Sequence, residues 1–289
     1  MDPRLGPRRR VHVPHAGLRS PRMFAARSWC LLLALLLIAP VSRSTLAWSR
    51  TPTACPSLFV GGQPPALLNG KLAQKTRLLC FEAFAVLASG VTRGPLWSAE
   101  RLTAATIRDA RRTPRKGTFH AESALTRGDR AELSDYARSG YDRGHMAPSG
   151  DMPDPRSLQQ SFSLANVLPQ APELNRRAWQ IIESAVRDYA AAHGLVYVVT
   201  GPVFQGSGLQ ALNGRVLVPT STYKAIYDPD SGAAGAYICS NAEQPECRTA
   251  SVTNVERLSG VDPFPAVPAR VKAAMMAMPP LRPDRSRRR

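Results

Sequence analysis

Between Pro172 and Ala192, Leu174, Ala178, Ile181, Ile182, Ala185, Val186 and Tyr189 recur at steps of three and four residues. That spacing is one apolar face of an α-helix. Pro172 suits its first turn and Gly194 its end. Directly beyond it, Leu195 to Thr200 (Leu-Val-Tyr-Val-Val-Thr) reads as a buried strand closed by Gly201-Pro202. Further strands are expected over Phe81–Leu87, Val216–Pro219, Thr222–Tyr227 and Ala234–Cys239. Thr92 to Trp97 leads into Ser98–Leu102, a strand end or short helix. Thr249–Leu258 begins as strand and turns to helix. Arg130–Ser139 and Arg270–Met278 are short helical candidates, and Ser161–Val167 is a short buried segment. No internal repeat is present. These elements predict an α+β fold, a single mixed α/β domain of about 225 residues.

The domain is expected to span residues 48–278, flanked by two segments of different character. Residues 30–41 form an apolar run of twelve, shorter than the roughly twenty needed to cross a bilayer. Arg22 and Arg27 precede it and Thr45-Leu46-Ala47 follows it. This is the pattern of a secretory signal over residues 1–47, cut after Ala47, with Met23 as an alternative start. An uncleaved anchor is the other reading. Residues 279–289 are expected to be a disordered basic tail. The whole chain carries +17, of which the leader holds +7 and the last nine residues +4. The folded body keeps about +6, which favours a polyanionic partner through phosphate contacts. A mildly basic body is not by itself specific.

Outside the leader the cysteines are Cys55, Cys80, Cys239 and Cys247. An even count in an exported chain suggests disulfides, and four cysteines allow three pairings. Cys55–Cys80 and Cys239–Cys247 are favoured because each pair is close in sequence. No Cys-x-x-Cys occurs, which argues against a thiolate zinc site.

Candidate chemistry gathers at Asp142-Arg143-Gly144-His145, read as a polar turn running to Pro148, and in the helix that follows. Deprotonating water near neutral pH is work for a histidine, and His145 is the candidate base. His120 and His193 lack such a setting and read as surface residues. Asn175, in the first helical turn, is either a cap or an amide-oxygen ligand for a magnesium ion. Glu183 either holds metal-bound water or pairs with Arg187 on the surface. Asn175, Trp179 and Glu183 are expected on one flank, with roughly 80° between Asn175 and Glu183 in a regular α-helix. Trp179 reads as core packing.

These motifs resemble the DNA/RNA non-specific endonucleases of the ββα-metal superfamily. Asp142-Arg143-Gly144-His145 matches the family signature. Asn166, Pro169-Gln170 and the Leu174-Asn175, Trp179 and Glu183 block match its downstream segment in order and spacing. Val198 to Phe204 resembles its following strand, and the likeness covers about residues 70–270. The resemblance implies a central antiparallel sheet with a ββα-metal site. It implies His145 as general base and Asn175 as the sole direct protein ligand of Mg2+, with Mn2+ as a substitute. Glu183 would hold the water shell and Arg143 would contact the phosphate. Arg115 stands where the family uses an upstream arginine, Asp142 belongs to the signature, and Asn166 would orient the site's backbone. Lys224 would be a substrate contact or a strand-surface residue. The implied activity is exported, metal-dependent cleavage of DNA and RNA, without stable membrane insertion once the leader is removed. A nucleic-acid-binding protein that keeps the fold without catalysis is the alternative. Strand preference and oligomeric state are left open.

Overall fold

The computed structural model describes residues 54–281, so the leader, its cleavage site, Met23 and nearly all of the basic tail lie outside the described residues. β1 (Ala66–Leu67) precedes three strands in close succession, β2 (Thr76–Cys80), β3 (Phe84–Ser89) and β4 (Gly94–Thr103). α1 (Ala104–Ala110) follows, with Thr103 and Thr106 capping it reciprocally. The middle of the chain holds α2 (Leu133–Tyr136), β5 (Asp142–His145), α3 (Pro155–Ser161) and β6 (Val167–Gln170). The longest helical segment opens as a π-helix over Leu174–Trp179 and continues as α4 (Gln180–His193) into β7 (Leu195–Val203). Then come β8 (Ala211–Leu212), β9 (Val216–Leu217), β10 (Ser221–Asp228), β11 (Ala233–Ser240) and β12 (Cys247–Ala250). α5 (Val252–Ser259), β13 (Val261–Asp262) and α6 (Ala269–Ala273) complete the fold.

Seven strands form one sheet in the order β12-β11-β10-β7-β4-β3-β2, every neighbour antiparallel. Alternate side chains face opposite ways, and both faces are covered. Trp97, Ala99, Val199, Tyr223, Ala225 and Ile238 pack with Phe59, Phe264 and the α5 residues Val252 and Val255. On the opposite face Leu102, Val196, Val198, Ile226 and Tyr237 pack with Trp179, Ile182, Val186 and Ala190. Ile182 and Val186 are wholly buried, each worth roughly 1.5–3 kcal/mol of transfer free energy. This apolar stripe, legible in the sequence, is what fixes the helix to the sheet.

Several boundaries differ from the sequence reading. β2 is a strand although Thr76 and Arg77 obscure its alternation, and residues 94–103 are one continuous strand with no helical turn inside it. β7 runs through Gly201-Pro202 to Val203. Its pairing with β4 ends at Thr200, so Pro202 has a strand partner on the β10 side alone. A proline fits there because no second ladder needs its missing N–H. Asp142–His145 is a strand paired with β6, where a turn was expected. His120 is not a plain surface residue: its backbone bridges to the Phe162–Leu164 segment. Disulfides join Cys55 to Cys80 and Cys239 to Cys247, the pairing favoured from sequence spacing. Among the described residues no helix is long and apolar enough to cross a membrane.

Candidate active site

β5 and β6 form a two-stranded ribbon with Asp142 opposite Gln170 and Gly144 opposite Leu168. The Gln170 side chain lies across Gly144, where a Cβ would stand 1.9 Å from Gln170 Oε1. Only glycine leaves room for that approach. Asn166 fixes the chain as it leaves the ribbon. Its Oδ1 accepts from the Ala147 N–H at 2.9 Å and from Ser98 Oγ at 2.8 Å. Its Nδ2 donates to the Ala147 carbonyl at 2.8 Å and the Ser161 carbonyl at 2.9 Å. A buried amide side chain is thereby fully used, and the backbone two residues past His145 is held from both sides.

The His145 ring packs against two aromatic rings, 5.1 Å from Phe119 and 4.8 Å from Phe162, which themselves lie 4.8 Å apart. Its Nε2 is buried and has no protein hydrogen-bond partner. Burial first, and the nearby Arg115 charge second, push its pKa down to about 4. The imidazole is therefore neutral near pH 7 and able to take a proton.

Facing it is the helix. Asp142 Oδ2 accepts from Asn175 Nδ2 at 3.0 Å, while Arg176 donates to both carboxylate oxygens at 2.7 and 2.6 Å. Burial opposes the charge on Asp142, but the hydrogen bonds from Arg176 and Asn175 outweigh it and hold its pKa below the usual value. Because Asp142 takes the Asn175 amide nitrogen, Oδ1 is the atom left to accept or to ligate. Glu183 has its pKa raised to about 7, chiefly by burial. Lys224, Arg187 and Arg115 pull it down while Asp151 pushes it up.

The expected single flank of Asn175, Trp179 and Glu183 breaks at Trp179, which is wholly buried in the core. The helix opens there as a π-turn. It holds more residues per turn than an α-helix, so every later side chain lags in azimuth. α-Helical arithmetic therefore does not carry from Asn175 to Glu183, and Trp179 packs in the core on the sheet. The surface pair expected of Glu183 and Arg187 is also absent as such: Arg187 donates to the buried Asp151 at 2.7 Å and to Ser184 at 3.1 Å.

One cleft of about 560 Å³ gathers Asp142, Arg143, His145, Asn175, Glu183 and Arg115. Arg115 is held to it by a 2.8 Å bond to Ser149 Oγ. Arg143 is exposed at the rim, its guanidinium 4.5 Å from the Phe119 ring centre. Asn166 lies behind the cleft. Lys224 is neither a substrate contact nor a surface residue, being 1% exposed within the sheet. Sequence reasoning missed Phe119, Phe162, Ser149, Arg176 and Arg187, all of which line the cleft. Phe119 and Phe162 lie in separate irregular stretches, and no periodicity marks them.

Among the described residues no three His, Cys, Asp or Glu side chains converge as a metal site. What the cleft offers is the Asn175 amide oxygen and the Glu183 carboxylate. Oxygen donors this few suit a hard divalent cation such as magnesium, which keeps most of its water.

Residues 64–270 match the model of the DNA/RNA non-specific endonuclease family. Mitochondrial endonuclease G of Bos taurus is 29% identical over 83% of this chain and 84% of its own length. Nuclease C1 of Cunninghamella echinulata var. echinulata is 32% identical over 63% of this chain and 81% of its own. A chain in the crystal structure of an EndoG/EndoGI complex superposes with a TM-score of 0.63 at 26% identity, over 75% of this chain and 94% of that one.

Proposed function

This chain belongs to the DNA/RNA non-specific endonuclease family, and on that premise we propose that it hydrolyses phosphodiester bonds of DNA and RNA with little sequence preference. One observation carries the reading: a neutral His145, partly buried and with a buried, partnerless Nε2, shares a basic-rimmed cleft with Asn175 and Glu183. His145 accepts the proton of the attacking water as the new P–O bond forms. Its ring is already held by Phe119 and Phe162 and its backbone by Asn166, so little reorganisation is needed. Arg143 and Arg115 hold the phosphate and offset the negative charge that grows in the transition state.

Asn175 would ligate a magnesium ion through Oδ1, oriented by Asp142, and Glu183 would hold that ion's water shell. The ion supplies stabilisation of the leaving oxygen. Manganese has the same oxygen preference and is expected to substitute. None of these groups addresses a base edge, which accounts for low sequence preference. The decisive test is cleavage of plasmid DNA and RNA with magnesium, with EDTA, and by His145→Ala. Full activity in His145→Ala would remove the base assignment, and full activity in EDTA would remove the metal.

Export through residues 1–47 belongs to the same proposal. The two disulfides support it, since such bonds persist in oxidising compartments. Several relatives are mitochondrial by name, so the compartment needs its own test. N-terminal sequencing of the mature protein after cell fractionation should read from Trp48. A cytosolic chain with an intact leader would refute export.

A further inference from the structure

Lys224 and Glu100 are enclosed, ionisable side chains to which the chemistry above gives no task. Lys224 on β10 lies directly opposite Thr200 on β7, and Thr200 lies opposite Ser98 on β4. Directly paired residues share a face, so Ser98, Thr200 and Lys224 form one polar row across three strands. Around them Val196, Val198, Ile226 and Tyr237 make that face apolar.

Both ends of the row reach the same piece of chain. Ser98 donates to Asn166, which holds both backbone groups of Ala147. Lys224 Nζ donates to Thr200 Oγ1 at 2.6 Å and to the Met146 carbonyl at 3.4 Å. The same nitrogen stands 5.8 Å from the ring centre of Trp179, in the helical segment between Asn175 and Glu183. Three structural pieces therefore meet at one ammonium: the segment after His145, the helix of the metal side, and the central sheet.

We propose that Lys224, anchored by Thr200, is a positioning residue that holds the backbone beside His145 against the helix bearing Asn175 and Glu183. The proposal rests on the nuclease reading above. Stability offers no motive for an ammonium at this point, because burying one is costly and an aliphatic chain of similar volume is ordinarily tolerated as well or better. Glu100 does not bind it directly, since neither Glu100 oxygen has a protein hydrogen-bond partner. Burial, with Asp151 and Glu183 adding, holds the Glu100 pKa far above the carboxylate range against the pull of Lys224 and Arg187. With no direct bond from Glu100, the ties at Lys224 are Thr200 and the Met146 carbonyl.

The test compares kcat, KM and Tm of the wild type with Lys224→Met, Thr200→Val and Thr200→Ser, on supercoiled plasmid with magnesium. Lys224→Met should lower kcat about tenfold or more while KM stays within about twofold, since positioning is lost and no substrate contact is. Thr200→Val should lower kcat in the same way by about threefold, and Thr200→Ser, which restores the acceptor, should not. Unchanged kcat in Lys224→Met and Thr200→Val overturns the proposal. So does a kcat loss that vanishes when each variant is assayed at an equal interval below its own Tm. If Lys224→Met fails to fold, the two Thr200 variants decide alone. An inactive wild type overturns both readings. An active wild type with inert His145→Ala and unaffected Thr200→Val overturns only the positioning role.

Discussion

The two walls of the cleft are buried to opposite chemical effect. On the ribbon wall, burial holds His145 neutral with a pKa of about 4. On the helix wall, burial lifts Glu183 to about 7, where carboxylate and acid coexist near neutral pH. Desolvation penalises the charged form in both cases. For a base the result is an imidazole that is neutral across the physiological range, with its proton affinity lowered. For Glu183 the result is a carboxyl group about half ionised near neutral pH. On the proposed function the ribbon wall is complete in itself, and a bound cation would complete the helix wall.

The sharpest way to break this comparison is to remove the complete wall. His145→Ala should lower kcat by about 10³-fold, in the range general-base catalysis supplies, at every magnesium concentration. A loss that high magnesium repairs would mean that His145 serves the metal. Asn175→Ala should do the reverse. Magnesium affinity, measured by calorimetry, should fall by more than the roughly 10–100-fold that outer-shell partners cost, and activity should return in part at high magnesium. Asp142→Asn, which loosens the hold on Asn175, should fall within that 10–100-fold range.

A pH series tests the opposite protonation behaviour directly. Glu183 takes up a proton as pH falls through about 7, so magnesium should bind about tenfold more tightly at pH 8 than at pH 6. Glu183→Gln should bind weakly and without that dependence. His145 should stay neutral from pH 8 down to pH 5 and protonate only towards pH 4. An imidazole that titrates near 6.5 by NMR would contradict its enclosure. The smallest effect is expected at Arg115, an exposed cation bound to Ser149. Arg115→Ala should raise the His145 pKa, because a repelling positive charge is gone. It should cost activity about tenfold or less, as exposed charges are screened.

How much of this was legible in the chain depends on the range of the interaction. The helix over 172–192 announced itself because its apolar period is local, and so did the strand after it. The motif Asp142-Arg143-Gly144-His145 was legible as chemistry, and the likeness around Asn175 and Glu183 supplied its partner. Its conformation was misjudged as a turn, because a short polar strand paired with another short strand carries no hydrophobic alternation. Trp179 was placed in the core by its type, yet aligned with the cleft by α-helical arithmetic. That arithmetic does not hold across a π-turn, which no local residue preference announces. Lys224 read as a contact or a surface lysine because a lysine inside a strand normally faces solvent. Its burial follows from register: position 224 faces Thr200 and the helix layer, and both faces of the sheet are covered.

By itself the sequence determined the α+β class, the sheet-packed helix, the cysteine pairing that short spacings favour, and the residues with chemistry to offer. Those properties depend on local periodicity, proximity along the chain and side-chain type. Only the tertiary structure decided that Phe119 and Phe162 pack against His145, that Asp142 leaves the Asn175 oxygen free, and that Glu183 shares a cluster of ionisable groups with Glu100, Asp151, Arg187 and Lys224. Each of those depends on which groups lose water together. That is settled by the packing of segments dozens of residues apart, and it is the same loss of water that shifts the two titrating groups in opposite directions.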